Sequence, residues 1–134
     1  MARDTVSYAP LQIVAGDADI RSKQVVIAAN AGAIAALTPL KRDANHKCVL
    51  ATAITDEIVG ILVPGADSTE SALTGLATSA SDQYAFVYTH GDFFADKINF
   101  ASITTATDNN KKDAVFDATG INIKFTGTTT QLLD

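Results

Sequence analysis

His46 and Cys48 stand two residues apart and are placed to share a metal ion. Zinc takes three or four such ligands. The chain offers one other histidine, His90, and no other cysteine, so a full ligand set is hard to assemble. As a nucleophile, Cys48 needs a neighbouring base and an electropositive setting. Neither is visible beside it, and it reads as a small buried hydrophobe. His90, Gly91 and Asp92 form a second grouping that suits an acid or base. The competing reading is a turn in which Gly91 takes a positive φ and Asp92 bonds a local amide, and a turn is the expectation. Asp92 and Asp96, four apart, resemble part of a calcium site. A twelve-residue calcium loop needs oxygens at many fixed positions, so a helix cap or solvated pair is expected instead. No GxSxG, GxxxxGK or GxGxxG is present, and no Ser-His-Asp arrangement stands out. The expectation is a chain with no enzymatic activity, no cofactor and no metal.

The elements that position these residues centre on 84–100, YAFVYTHGDFFADKINF. Tyr84, Phe86 and Tyr88 alternate with Ala85, Val87 and Thr89, a period of two that marks a strand over 84–89. Phe93, Phe94 and Phe100 follow the His90-Gly91-Asp92 break. Six of the nine aromatic residues lie in this window, so the core is expected here, with Tyr84 and Tyr88 facing inward.

Further strands are expected over residues 24–29 (QVVIAA), 48–51, 58–63 (IVGILV) and 121–126, with a short one near 72–76. The run 58–63 is continuously apolar, as in a buried strand, and Gly60 within it suggests a bulge or close packing. Asn30 to Gly32 make a turn, Thr38-Pro39 is extended, and 41–47 (KRDANHK) is a polar turn. One helical turn suits 96–100. Asp108 is placed to cap a helix over 109–118, closed by Gly120, with Val115, Phe116 and Ala118 inward. The fold class is therefore mainly β with one or two short helices, a β-rich α+β domain.

The 134 residues suit one domain with arms. The reading is an N-terminal arm over 1–23, a β-rich domain over 24–126 and a threonine-rich tail over 127–134. In the arm, Val6, Tyr8, Leu11, Ile13 and Val14 are apolar without a clean period, and Pro10 blocks a continued ladder. Such an arm either packs on its own domain or orders on a partner, and both readings stay open. Single Cys48 excludes an internal disulfide and suits a reducing compartment during folding. No apolar run spans a membrane, and no secretory leader is visible. Net charge is −5, with scattered carboxylates, which opposes contact with phosphate backbones. Neither nucleic acid nor membrane is expected as a partner.

Several pieces in order resemble the lambda-type bacteriophage head decoration proteins. They are VVIAANAGAIAALTPL (25–40), VGIL (59–62) followed by Ala66-Asp67, YTHGDF (88–93), ADKINF (95–100) and KKDAVFDATGINI (111–123). The chain departs from that pattern at Phe100-Ala101, where members often carry Trp-Pro. The resemblance implies a small compact domain that forms a homotrimer. It implies binding outside the expanded icosahedral head at three-fold or quasi-three-fold positions, where the trimer clamps major capsid subunits. It also implies that capsid contacts lie largely in the arm, which itself has no clear match to the family; the arm's apolar residues Val6, Tyr8, Leu11, Ile13 and Val14 are the expected contacts. Localisation would be the outer capsid surface, and the host cytoplasm during assembly. The alternative is a β-rich adhesion or carbohydrate-binding module of a virion surface or fibre, and a small hydrolase using His90 is a third class.

Overall fold

A computed structural model of the chain describes residues 19–69 and 72–125. The strands are β1 (Arg21–Ile27), β2 (Pro39–Arg42), β3 (Cys48–Leu50), β4 (Ile58–Leu62), β5 (Gln83–Phe94) and β6 (Gly120–Lys124). A helix, α1, spans Asn109–Ala114, and a 3-10 turn covers Ala95–Lys97. Strand neighbours run β1-β3-β2-β4-β5, and β5 pairs back onto β1, so five strands close into a barrel. β1 meets β3 in parallel through Ile27 and Cys48, while the other barrel pairs are antiparallel. β6 lies outside the ring and runs parallel to the second half of β5, from His90–Gly120 to Phe94–Lys124. The domain is thus mainly β: a mixed five-stranded barrel, one added strand, one short helix and a 3-10 turn.

Alternation along the strands divides the apolar residues into two cores. The barrel interior holds Val25, Ile27, Leu40, Cys48, Leu62 and Val87, drawn from all five strands, with Ile34. Five strands enclose a narrow space, which these medium-sized side chains fill. The second core lies on the outer face of β4 and β5. There Ile61, Tyr88, Phe93, Ile121 and Ile123 pack beneath Ile98, Ile103, Val115 and Phe116 of the 95–116 connection. β4 is therefore covered on both faces, with Leu62 inside and Ile61 outside, which explains its unbroken apolar run. Gly60 combines both expected roles. The β2–β4 register slips between Leu40 and Lys41, leaving Val59 extra, and a Cβ at Gly60 would drive into the Tyr88 carbonyl.

Several expectations need correction. His90-Gly91-Asp92 is no turn, because β5 runs without a break through all twelve residues to Phe94. Gly91 does take positive φ, +141°, and a Cβ there would meet the Phe93 ring at 2.9 Å. What keeps the strand going is pairing: Arg21 of β1 and Gly120 of β6 both register with His90. β1 begins at Arg21 rather than 24, and residues 41 and 42 belong to β2 rather than to the turn. The short strand near 72–76 reduces to isolated bridges, Thr69–Ala72 and Ile34–Leu76.

Asp108 caps α1 as expected, its Oδ1 accepting from Lys111 N at 3.1 Å. The helix stops at Ala114, however, and residues 115–117 continue with tighter i→i−3 bonds that turn Val115 and Phe116 into the core. Ala118 is exposed, not inward. Gly120 opens β6 instead of closing the helix, and Thr119 makes the junction. Its hydroxyl donates to the Phe116 carbonyl at 2.8 Å and accepts from Ile121 N at 3.1 Å.

Candidate functional site

The residues singled out for chemistry do not converge. His46 is exposed with φ +66° in the β2–β3 turn, whereas Cys48 is fully buried in the barrel. Asp43 holds that turn, its Oδ1 accepting from Asn45 N at 2.8 Å and Lys47 N at 3.0 Å. Burial pushes the Cys48 thiol above its ordinary pKa, against a smaller opposite pull from Arg42 and Lys23. A thiol held protonated and out of solvent reacts slowly. The native chain should therefore resist thiol reagents, labelling only at the rate of unfolding. Fast labelling in native buffer would contradict this placement.

His90 is exposed, with Nδ1 2.9 Å from Thr89 Oγ1 and its ring occupying the space where a Gly120 Cβ would stand. Asp92 accepts from the Asn122 side-chain amide at 3.1 Å, tying β5 to β6 rather than bonding a local backbone amide. Asp96 is exposed in the 3-10 turn. Among the described residues, no group of three or more His, Cys, Asp or Glu is arranged to hold a metal ion.

A cleft of about 520 Å³ opens where β1, β2, β4 and β5 meet, lined by Lys23, Lys41, Arg42, Asp56, Glu57 and Thr89 among others. Opposite charges there engage one another. Lys41 Nζ lies 3.4 Å from Asp56 Oδ2, and Asp56 also accepts from Thr52 N at 2.8 Å and Ala53 N at 2.9 Å. The Thr52 amide, with help from the Ala53 amide and Lys41, holds the Asp56 carboxyl below the usual carboxylate range. A depressed folded pKa means a contribution present above the unfolded value, about 3.9. It fades as pH falls through the lower folded value. Asp56→Asn should thus lower the melting temperature slightly near neutral pH, and its difference from the parent should shrink below about pH 4. A difference constant down to strong acid would contradict the assignment.

A second feature is apolar. Tyr84 and Phe86 are 74% and 53% exposed, so the expectation that Tyr84 faces inward is wrong, while Tyr88, at 7%, is buried. All three lie on the outer face of β5, opposite Val26, Gln24 and Ser22 of β1. The 95–116 connection roofs Tyr88 and leaves the other two bare. Beside them runs a groove of about 360 Å³ along Val63, Pro64, Ala66 and Leu76, and none of its lining residues is charged. Sequence reasoning assigned the aromatic row to the core because of its size. The signal it missed is the opposite row: Ala85 and Val87 suit a narrow barrel interior, which sends the bulky set outward.

The five expected capsid-contact residues, Val6, Tyr8, Leu11, Ile13 and Val14, lie outside the described residues. No helix among the described residues is long and apolar enough to cross a membrane. No protein-family model matches the chain, and no curated protein matches it significantly.

Proposed function

We propose that the chain is a structural virion protein, a head-decoration subunit acting as a homotrimer on the outside of an expanded icosahedral phage head. It clamps neighbouring major capsid subunits at three-fold and quasi-three-fold positions against internal DNA pressure. The observation that carries this reading is the bare aromatic face of Tyr84 and Phe86, set on a closed barrel and beside an uncharged groove. Exposed apolar surface of this kind marks protein contact. The ordered set of segments similar to the lambda-type decoration proteins supports the same reading. In it the chain works without catalysis or cofactor, and its partners are further copies of itself and the major capsid protein, with no nucleic acid or membrane involved.

Three-fold assembly makes energetic sense of a short binding arm. Ordering an arm costs roughly 1–2 kcal/mol per residue, so one arm alone yields little net affinity. Three arms on one trimer act at high effective concentration and gain roughly two to four decades. The test is co-sedimentation of the purified chain with empty expanded heads of its phage. Stoichiometric binding at the three-fold positions supports the clamp, and absence of binding refutes it.

The exposure of Tyr84 favours one other reading, an adhesion or carbohydrate-binding module, since sugar sites use an open aromatic platform. Saturable glycan-array binding that disappears in Tyr84→Ala would support it.

A further inference from the structure

We infer that the mouth of the barrel binds an oxyanion of the phosphate class, held by Lys23 of β1 and Arg42 of β2. The site is independent of the decoration role and is tested without it. Residues paired directly across a sheet share a face. Lys23 registers with Val87 and Arg42 with Cys48, and both of those partners are fully buried in the barrel interior. Along their own strands the two cations lie two residues from Val25 and Leu40, which also point inside. Lys23 and Arg42 are themselves exposed, so their strands carry them past the packed interior to its open end. There they line the same cleft of about 520 Å³, together with Val59, which packs against the barrel interior. The charges of both reach the buried Cys48 thiol from this end. The mouth of a barrel is a recurrent place for a ligand.

Charge in the cleft selects the ligand. Three of the chain's ten Lys and Arg residues line it, on a molecule whose net charge is −5, so an anion is drawn here rather than to the surface at large. Lys41 is engaged by Asp56 at 3.4 Å, and the Thr52 and Ala53 amides complete that carboxylate. Arg42 donates from Nη1 to the His46 carbonyl at 2.8 Å, which leaves further guanidinium donors for a ligand. Lys23 has no ion-pair partner among the described residues. Glu57, exposed on the same cleft, opposes an anion with one charge against these two. The Thr89 hydroxyl already meets His90 Nδ1 at 2.9 Å, so the ligand contacts rest on Lys23 and Arg42. A guanidinium fork and a mobile ammonium together match the several oxygens of a phosphate group, and they repel a metal cation. The cleft has room for more than a bare ion, so the group is either free phosphate or phosphate carried on a small organic body.

The experiment follows backbone amide NMR shifts of the 134-residue chain during titration at constant ionic strength, once with inorganic phosphate and once with glycerol 3-phosphate. Saturable shifts should centre on the amides around Lys23, Arg42 and Val59. Lys23→Gln and Arg42→Gln should each weaken binding at least about tenfold, the scale of a lost hydrogen bond to a charged group. Glu57→Gln should tighten it, because a like charge leaves the cleft. All three changes fall at exposed positions. Should Arg42→Gln fail to fold through loss of its bond to the His46 carbonyl, Lys23→Gln decides. Equal affinity for the two probes sustains the site and identifies free phosphate. Tighter binding of glycerol 3-phosphate sustains it and identifies an organic phosphate. Shifts that never saturate, that sodium chloride reproduces, or that centre elsewhere overturn the inference, as does parent-like binding by folded Lys23→Gln. Capsid binding is scored separately, and its failure leaves this result unchanged.

Discussion

Phe93→Ala lowers the unfolding free energy by about 3–5 kcal/mol, the range for emptying a buried aromatic site. Phe93 is fully buried. Its ring lies 5.1 Å from that of Tyr88 at an interplanar angle of 40°, and it fills the space that a side chain at Gly91 would need. The second core closes around this ring, with β5 and β6 below and the 95–116 connection above. The cavity cannot collapse easily, because β5 is held on the barrel by β1 and β4. Small domains hold about 5–15 kcal/mol in total, so the variant should sit near the edge of folding. Urea titration reads the loss directly. The half-buried neighbour Phe94 serves as control, and Phe94→Ala should cost clearly less. A loss under about 1 kcal/mol at Phe93 would mean that the second core is not the packed unit described.

Removing residues 1–18 should leave the domain folded and lower capsid affinity by at least about two decades, the scale of a lost multivalent contact. The fold should survive for a structural reason. β1 registers with β5 along all seven of its residues, and Ile20 packs against the second core, so both elements remain in the shortened chain. The cut must spare Ile20 and Arg21, where barrel pairing begins. Loss of binding belongs to the proposed clamp, in which the removed apolar side chains of Val6, Tyr8, Leu11, Ile13 and Val14 meet the shell. Heads decorated equally well by the shortened chain would assign the contact elsewhere.

The barrel strands were readable wherever periodicity or composition was strong. Residues 58–63 read as a buried strand because a run without polar interruption suits a strand covered on both faces, which is the position of β4. The alternation of Ile121, Ile123 and Phe125 against Asn122 and Lys124 marks β6, and the isoleucines are buried, but the strand ends at Lys124 and Phe125 is exposed. The capping role of Asp108 was local chemistry and therefore legible. The continuation of β5 through Gly91 was not legible, because β1 and β6 hold it open from distant parts of the chain. Closure of the ring likewise depends on the Ile27–Cys48 pairing, which nothing near either residue announces.

The candidate site followed the same division. Burial of Cys48 was visible from its short apolar strand, and its separation from His46 follows from opposite placements, one inside the barrel and one on a solvent-facing turn. The aromatic face was misplaced because large apolar residues usually enter a core. Side-chain size decides otherwise here: a five-stranded barrel takes Val87 inside and turns Phe86 to solvent.

Native mass of the 134-residue chain is the sharpest test of the proposal that the molecule works by linking copies. A species near three times 14.0 kDa is expected. A lone 14.0 kDa species at every concentration and salt condition would contradict the proposed trimeric clamp.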